Sequence, residues 1–237
     1  CDRFHVWPAR DPVALLYSGP SGTLIPAGDP VGGPPLCEAA ERVGWRVLVG
    51  DARIGQALLE ALPRGVFRRR PGVREQRFMA VEANEVRDPD RAPPPGFRPA
   101  RLADLDTLVE FACLLHVEDH MGPPIARSAR GSVQARLRET IERGETFVMD
   151  RDGRPVGKAD LSLRSHRRGA QIAGVYVDKS TRGQGVASAL VGALVRMLVR
   201  EGLPGISLHV RADNERAMAA YRRAGLCDRG PWILALR

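Results

Sequence analysis

The residues best suited to chemistry begin at Gln171. The stretch Gln171-Ile-Ala-Gly-Val-Tyr-Val177 has the β-branched and aromatic content of a strand. It is followed by a short polar turn, by Arg182-Gly-Gln-Gly-Val-Ala187, and by a helix apolar nearly all round. A strand, then glycines, then a helix N-terminus leaves backbone N–H groups free to receive an anion. The glycines admit conformations that a Cβ forbids, and Arg182 adds charge at the rim. The loop is neither G-x-G-x-x-G, since Ser188 stands at the third glycine, nor a Walker loop. Taken alone, it also reads as an ordinary connector.

A second group lies downstream. Asn214, Ala217, Tyr221 and Gly225 are spaced to share one face of a helix, with Asp213 or Asn214 as its cap. Tyr221 is then either a phenol aimed at a site or a core tyrosine with a satisfied hydroxyl. A third group is His116-Val-Glu-Asp-His120. Glu118 and Asp119 are carboxylates able to bind or relay a proton from a cationic amine, or a solvated helix end. His116 and His120 share a helix face, but this is not H-E-x-x-H and no third ligand is near, so no metal is expected. His209 is a further proton-transfer candidate on a strand.

These groups must be positioned by a mixed α/β framework. In the first half, 13–17, 23–26, 47–49 and 77–83 read as strands, and 37–43 and 53–62 as helices. In the second half the periodicities predict a strand at 97–101 and helices over 102–116 and from a Ser132 cap to Gly144. A hairpin at 146–149 and 156–163 and a strand at 170–177 follow. A helix over 183–200, a strand at 205–211, a helix at 214–224 and a strand at 231–236 complete the chain.

The clearest break is Arg91-Ala-Pro-Pro-Pro-Gly96, a stiff extended connector. It divides the chain into domains 1–95 and 96–237. The net charge of +8 is uneven: 13 basic and 12 acidic groups stand before Gly96, 23 and 16 from there on. That asymmetry suits an anionic ligand in the second half, or a solvated arginine-rich face. Aromatic residues are only 5% and no RNP-like pattern occurs, which ranks nucleic-acid binding last. No membrane span is expected, because the apolar run 186–199 is flanked and interrupted by Arg182, Arg196 and Arg200. Cys1, Cys37, Cys113 and Cys227 form no C-x-x-C pair, arguing against a zinc ribbon or disulfide framework and for a reducing cytoplasm. The first residue is Cys, so the native start is expected to be missing.

The segment 172–187 resembles motif A of the GNAT superfamily of acyl-CoA-dependent N-acyltransferases. Its pattern R/Q-x-x-G-x-G/A is met by Arg182, Gly185 and Ala187. The segment 210–226 resembles motif B, with N-x-x-A-x-x-x-Y-x-x-x-G present. The resemblance covers roughly 96–237, and the whole chain resembles a bacterial GNAT group with an N-terminal domain of unknown function. That smaller domain is a candidate degenerate GNAT-like half, with 47–62 repeating the strand-to-helix logic.

The resemblance implies an α/β (α+β) fold whose second domain has a mixed, mostly antiparallel, splayed central sheet flanked by helices. It implies that the backbone of Val175, Tyr176 and Val177 bonds the pantetheine arm. Arg182, Gly183, Gln184, Gly185, Val186 and Ala187 cradle the pyrophosphate, with Ser188 starting the helix. Asn214 and Ala217 contact the cofactor, Tyr221 protonates the departing thiolate, and strand 206–210 splays to open the slot. Many members carry a glutamate where this sequence has Gln171, which can orient a water or the amine but cannot take its proton. Tyr221, Glu118 and Gln171 are therefore the catalytic candidates. The expected activity is transfer of an acetyl group from acetyl-CoA, as co-substrate, to a primary amine by direct attack in a ternary complex. The competing reading is a non-catalytic acyl-CoA-binding sensor, to which Gln171 lends weight and Tyr221 does not.

Overall fold

A computed structural model describes residues 3–19, 21–63 and 71–237; Cys1, and Pro20 of the first turn, lie outside them. The chain runs β1 (Arg3–Trp7), β2 (Ala14–Ser18), β3 (Thr23–Gly28), α1 (Gly33–Val43), β4 (Val47–Asp51), α2 (Ala52–Ala61) and β5 (Gly72–Glu82). It continues β6 (Phe97–Pro99), α3 (Leu105–Glu118), α4 (Arg130–Glu142), β7 (Thr146–Arg151), β8 (Arg154–Ser165) and β9 (Gly169–Val177). The last elements are α5 (Val186–Arg200), β10 (Gly205–Arg211), α6 (Glu215–Arg223) and β11 (Cys227–Leu236).

These elements form two units that are not successive stretches of chain. The first comprises Cys1–Phe78, Val210–Asp213 and Arg229–Arg237, and the second Met79–His209 and Asn214–Asp228. Composition places a break at 91–96, but contact groups that segment with the second unit. There Arg200 Nη1 donates to the carbonyls of Pro89 (3.1 Å) and Arg91 (3.4 Å), and Phe97 N to that of Pro94 (3.1 Å). Proline removes backbone donors but leaves carbonyls, and Arg200 uses one carbonyl at the start of this stretch and one just before it.

In the first unit the strand order is β1-β2-β3-β4-β11. Only β3 and β4 are parallel, and β11 closes on β4 from Trp232↔Asp51 to Leu236↔Val47. Its core gathers Leu16, Leu24, Leu36, Leu48, Ile54, Leu58 and Ile233, all almost fully buried. The β3–α1–β4 run is the unit's parallel crossover, and β4 leads directly into α2, the strand-to-helix step expected at 47–62. Strand β1 was not legible as a strand. Helix α1 begins four residues earlier than its apolar period, because Pro34 and Pro35 occupy the first turn, where no N–H is needed.

In the second unit the order is β10-β9-β8-β7-β6, with β10 parallel to β9 and the β9–β8, β8–β7 and β7–β6 pairs antiparallel; β5 and β10 divide between the units after Phe78 and after His209. Helix α5 buries Val186, Leu190, Val191, Leu194, Val195 and Leu198. Helices α3 and α4 place Leu108, Phe111, Val133 and Leu137 in one core with Val148 and Tyr176. Two predicted helix starts move. Ser132 lies inside α4, its hydroxyl donating back to Ala129 O at 2.7 Å, and is not the cap. Helix α5 starts at Val186, because Gly183 and Gly185 both sit at φ +79, which a helix interior excludes.

Candidate active site

The candidate residues Glu118, Gln171, 175–188, His209, Asn214, Ala217 and Tyr221 all lie in the second unit. Strands β9 and β10 pair through Ile206↔Ala170, Ser207↔Gln171 and Leu208↔Ile172, and the register stops there. Beyond Ile172 the two strands form a fork. Ala173, Tyr176 and Val177 stay paired to β8, opposite Asp160, Lys158 and Gly157, but have no register with β10. Backbone polar groups on that edge face the fork, as a slot for an extended polar arm requires.

At the end of β9, Asp178 caps a short turn by accepting from Ser180 N at 2.8 Å. The loop then passes through Gly183 and Gly185, and a Cβ built on either meets nothing within 4 Å. These glycines are therefore required by their left-handed backbone and leave open space in front of the α5 N-terminus. Gly185 is its N-cap residue, and no side chain caps it. Gln184 turns aside, accepting from Arg151 and donating to Ser180 O at 3.3 Å. Val186 is buried, while Ala187 and Ser188 are half-buried on the first turn of α5. Free amides, open space and a helix dipole together can hold a pyrophosphate.

Arg182 is exposed and tied to its surroundings by three contacts. Its Nε donates to Val177 O at 3.0 Å, its guanidinium stands 5.3 Å from the centre of the Tyr176 ring, and its Nη2 donates to Glu118 at 2.8 Å. Lys179 Nζ is 3.5 Å from the other Glu118 oxygen. Glu118, at the end of α3, thus faces the two cations at the mouth of the glycine loop. Tyr176 lies beneath, stacked at a tilt on Phe111 with ring centres 5.0 Å apart. Burial and then the Glu118 charge push its phenol up.

Helix α6 supplies the second motif. Asn214 is its N-cap, with Oδ1 accepting from Ala217 N at 3.1 Å, so these two residues meet as a cap. Tyr221 is 7% exposed on the buried face of that helix. Burial first, and the Asp119 carboxylate second, hold its phenol well above the ordinary range. The phenol is therefore protonated at any working pH. Glu118 and Asp119 act in different places: the former meets Arg182 and Lys179 at the glycine loop, and the charge of the latter acts on Tyr221.

At the fork, Gln171 Nε2 lies 3.1 Å from His209 Nδ1. Burial pulls His209 down to about 4, so its imidazole is neutral near pH 7. Alternation within β9 and β10 places both residues on strands that diverge just beyond them. Spacing alone did not pair them, because they are 38 residues apart. His116 and His120 do not converge with a third ligand: among the described residues no group of three His, Cys, Asp or Glu can hold a metal ion.

The fork, glycine loop and tyrosine helix define a class. Residues 116–226, just under half of the chain, match the Acetyltransferase (GNAT) family. The mycothiol acetyltransferase of Clavibacter michiganensis subsp. michiganensis is 34% identical over 108 residues, 45% of this chain and 35% of the relative. The chain thus spans about a third of that relative's length. An acetyltransferase of the GNAT family from Colwellia psychrerythraea superimposes with TM-score 0.62 at 16% identity, covering 99% of this chain and 85% of that one. A tandem GNAT protein from the clavulanic acid biosynthesis pathway superimposes with TM-score 0.52 at 15% identity, covering 95% and 79%. The fold is that of the GNAT acetyltransferases, and residues 116–226 carry that family's sequence pattern.

Proposed function

We propose that this chain transfers an acetyl group from acetyl-CoA to a primary amine by direct attack in a ternary complex, and that the chemistry belongs to residues 96–237. The observation that carries this reading is the β9–β10 fork leading into an open, left-handed glycine loop at the start of α5. In it Arg182–Ala187 hold the pyrophosphate and Ser188 follows on the helix. The backbone of Val175–Val177 bonds the pantetheine arm, and Asn214 and Ala217 border it at the α6 cap. Bound acetyl-CoA supplies the activated acyl group. This chain then has three tasks: to keep the amine deprotonated, to polarise the thioester carbonyl and to stabilise the leaving thiolate. Tyr221 is a protonated phenol suited to the third. Gln171, held by His209, is suited to orienting the amine or a water. Turnover of acetyl-CoA against a panel of amines tests the reading, and thermal stabilisation by acetyl-CoA reports binding independently. Turnover is expected with at least one amine class. Stabilisation without turnover across the panel would favour the sensor reading, to which an amide at position 171 already lends weight.

The first half is read as a GNAT-like unit that cannot hold the same ligand. Its crossover loop repeats the topology but not the cradle. Pro30, Pro34 and Pro35 have no N–H to offer. A Cβ on Gly32 would strike Ala14, and one on Gly33 would come within 2.7 Å of Ala57. Those glycines serve close packing, whereas Gly183 and Gly185 face open space. Calorimetric titration is expected to give one CoA per chain, and two equivalent sites would overturn this assignment.

Glu118 separates two roles by experiment. It was a candidate base, yet it stands where an anion would meet Arg182 and Lys179. Glu118→Gln removes that competing charge. CoA affinity is expected to rise about 2- to 5-fold, the scale of an exposed ion pair, with kcat little changed. A kcat loss above ~10-fold with unchanged CoA affinity would instead make Glu118 the base.

A further inference from the structure

Lys158 has the largest almost fully buried side chain of the described residues, at 1% exposure, and no role above uses it. It lies on β8, two residues before Asp160, and its ammonium is ion-paired with the Asp160 carboxylate. Asp160 Oδ1 accepts from Thr146 Oγ1 on β7 at 3.1 Å, and Thr146 Oγ1 is 2.8 Å from Thr140 Oγ1 on α4. A network linking three elements therefore converges on one carboxylate.

That carboxylate abuts Gly174. Lys158 pairs with Tyr176, and the register slips before Asp160 pairs with Ala173, so β9 bulges between the two partners. Gly174 takes φ +57 there, and a Cβ on it would strike the Asp160 carboxylate and stand 3.1 Å from Lys158 Nζ. The slip falls just past Leu208↔Ile172, the last β9–β10 pair. The bulge is thus at the root of the fork, between Gln171 and the arm-binding stretch 175–177. A buried ion pair is weak evidence of net stability, since desolvation offsets the attraction; its use is to fix geometry.

We propose that Lys158 and Asp160 are positioning residues that hold the Gly174 bulge, and so aim the backbone N–H groups next to the stretch 175–177, where the acyl-CoA reading puts the thioester carbonyl. The inference rests on the acyl-CoA reading of the fork. Its test compares Asp160→Asn with the paired replacement Lys158→Met/Asp160→Leu in the full chain. Asp160→Asn keeps the shape and weakens the grip on Lys158; the paired replacement leaves no charge unpartnered if the single variant fails to fold. Melting midpoint, CoA affinity by calorimetry, and kcat and KM with acetyl-CoA are measured for each. The expected result is a kcat loss of at least ~10-fold, within the range for a misdirected carbonyl donor, with CoA affinity and amine KM within about 3-fold of the parent. A pair that only fills the core would lower the midpoint and leave kcat within twofold, which would overturn the proposal. Loss of CoA affinity in step with kcat would overturn it too. If the parent itself fails to bind CoA, the acyl-CoA reading falls first. If the parent binds CoA without turning over, the clamp is judged by acetyl-CoA against CoA. The variants are then expected to lose affinity for acetyl-CoA by at least ~3-fold more than for CoA, and equal losses would sink it.

Discussion

Gly185→Glu is expected to weaken CoA binding by at least ~10-fold, about 1.4 kcal/mol. Gly185 caps α5 at φ +79 and a Cβ on it has no neighbour within 4 Å, so a glutamate side chain would fill the space in front of the free amides. It would also bring a negative charge to where the pyrophosphate should sit, against the favourable end of the helix dipole. The left-handed backbone adds a separate strain of order 1 kcal/mol for any side chain. Gly185→Ala carries that strain without bulk or charge, so it is the control. It should lose a few degrees of melting temperature and much less than tenfold in affinity. Calorimetric titration of both variants, with circular dichroism to establish folding, separates the effects. A folded Gly185→Glu protein with parental CoA affinity would remove the pyrophosphate from this loop.

Tyr221→Phe is expected to lower kcat by roughly 10²-fold with CoA affinity nearly unchanged. The phenol is buried on the inner face of α6. Burial and Asp119 keep it protonated. Full transfer to a thiolate, whose thiol has a reference pKa of about 8.5, is uphill from a phenol held above its usual value near 10. The role that fits is a hydrogen bond to sulfur that strengthens as the thiolate forms. The pH profile of kcat should then show no fall from Tyr221 up to about pH 10, because a group with a raised pKa keeps its proton above its ordinary titration range. A merely structural tyrosine gives the opposite pattern: the variant loses about 1 kcal/mol of stability and keeps its turnover. Measuring kcat and melting temperature on the one variant decides between them.

Local order was legible wherever a period and a terminator agreed. The strand ending at Val177, the apolar α5, the alternation of 206–210 and the tyrosine helix all follow from side-chain spacing, since spacing sets which face is buried. The two motifs within 172–226 were likewise visible, because glycines at 183 and 185 and a tyrosine seven residues after Asn214 are local patterns. Three things were decided by tertiary structure. The helix starts at 132 and 183 moved, because backbone sign and back-bonding to Ala129 are not carried by hydrophobic period. The grouping of the last strand with the first unit is a pairing of residues some 180 positions apart, Leu236 with Val47 and Ile233 with Gly50, and no local pattern records it. The functional geometry is long-range in the same way: Glu118 meets Arg182 across 64 residues, and Gln171 meets His209 across 38. By itself the sequence determined most of the elements, though not β1 or the starts of α1, α4 and α5, and the kinds of group each offers. Which carboxylate faces the glycine loop, which acts on Tyr221 and which lies under the Gly174 bulge was settled only when β8, β9, α3 and α6 packed together. Charge interactions depend on distance through space, and the order of residues along the chain does not encode it.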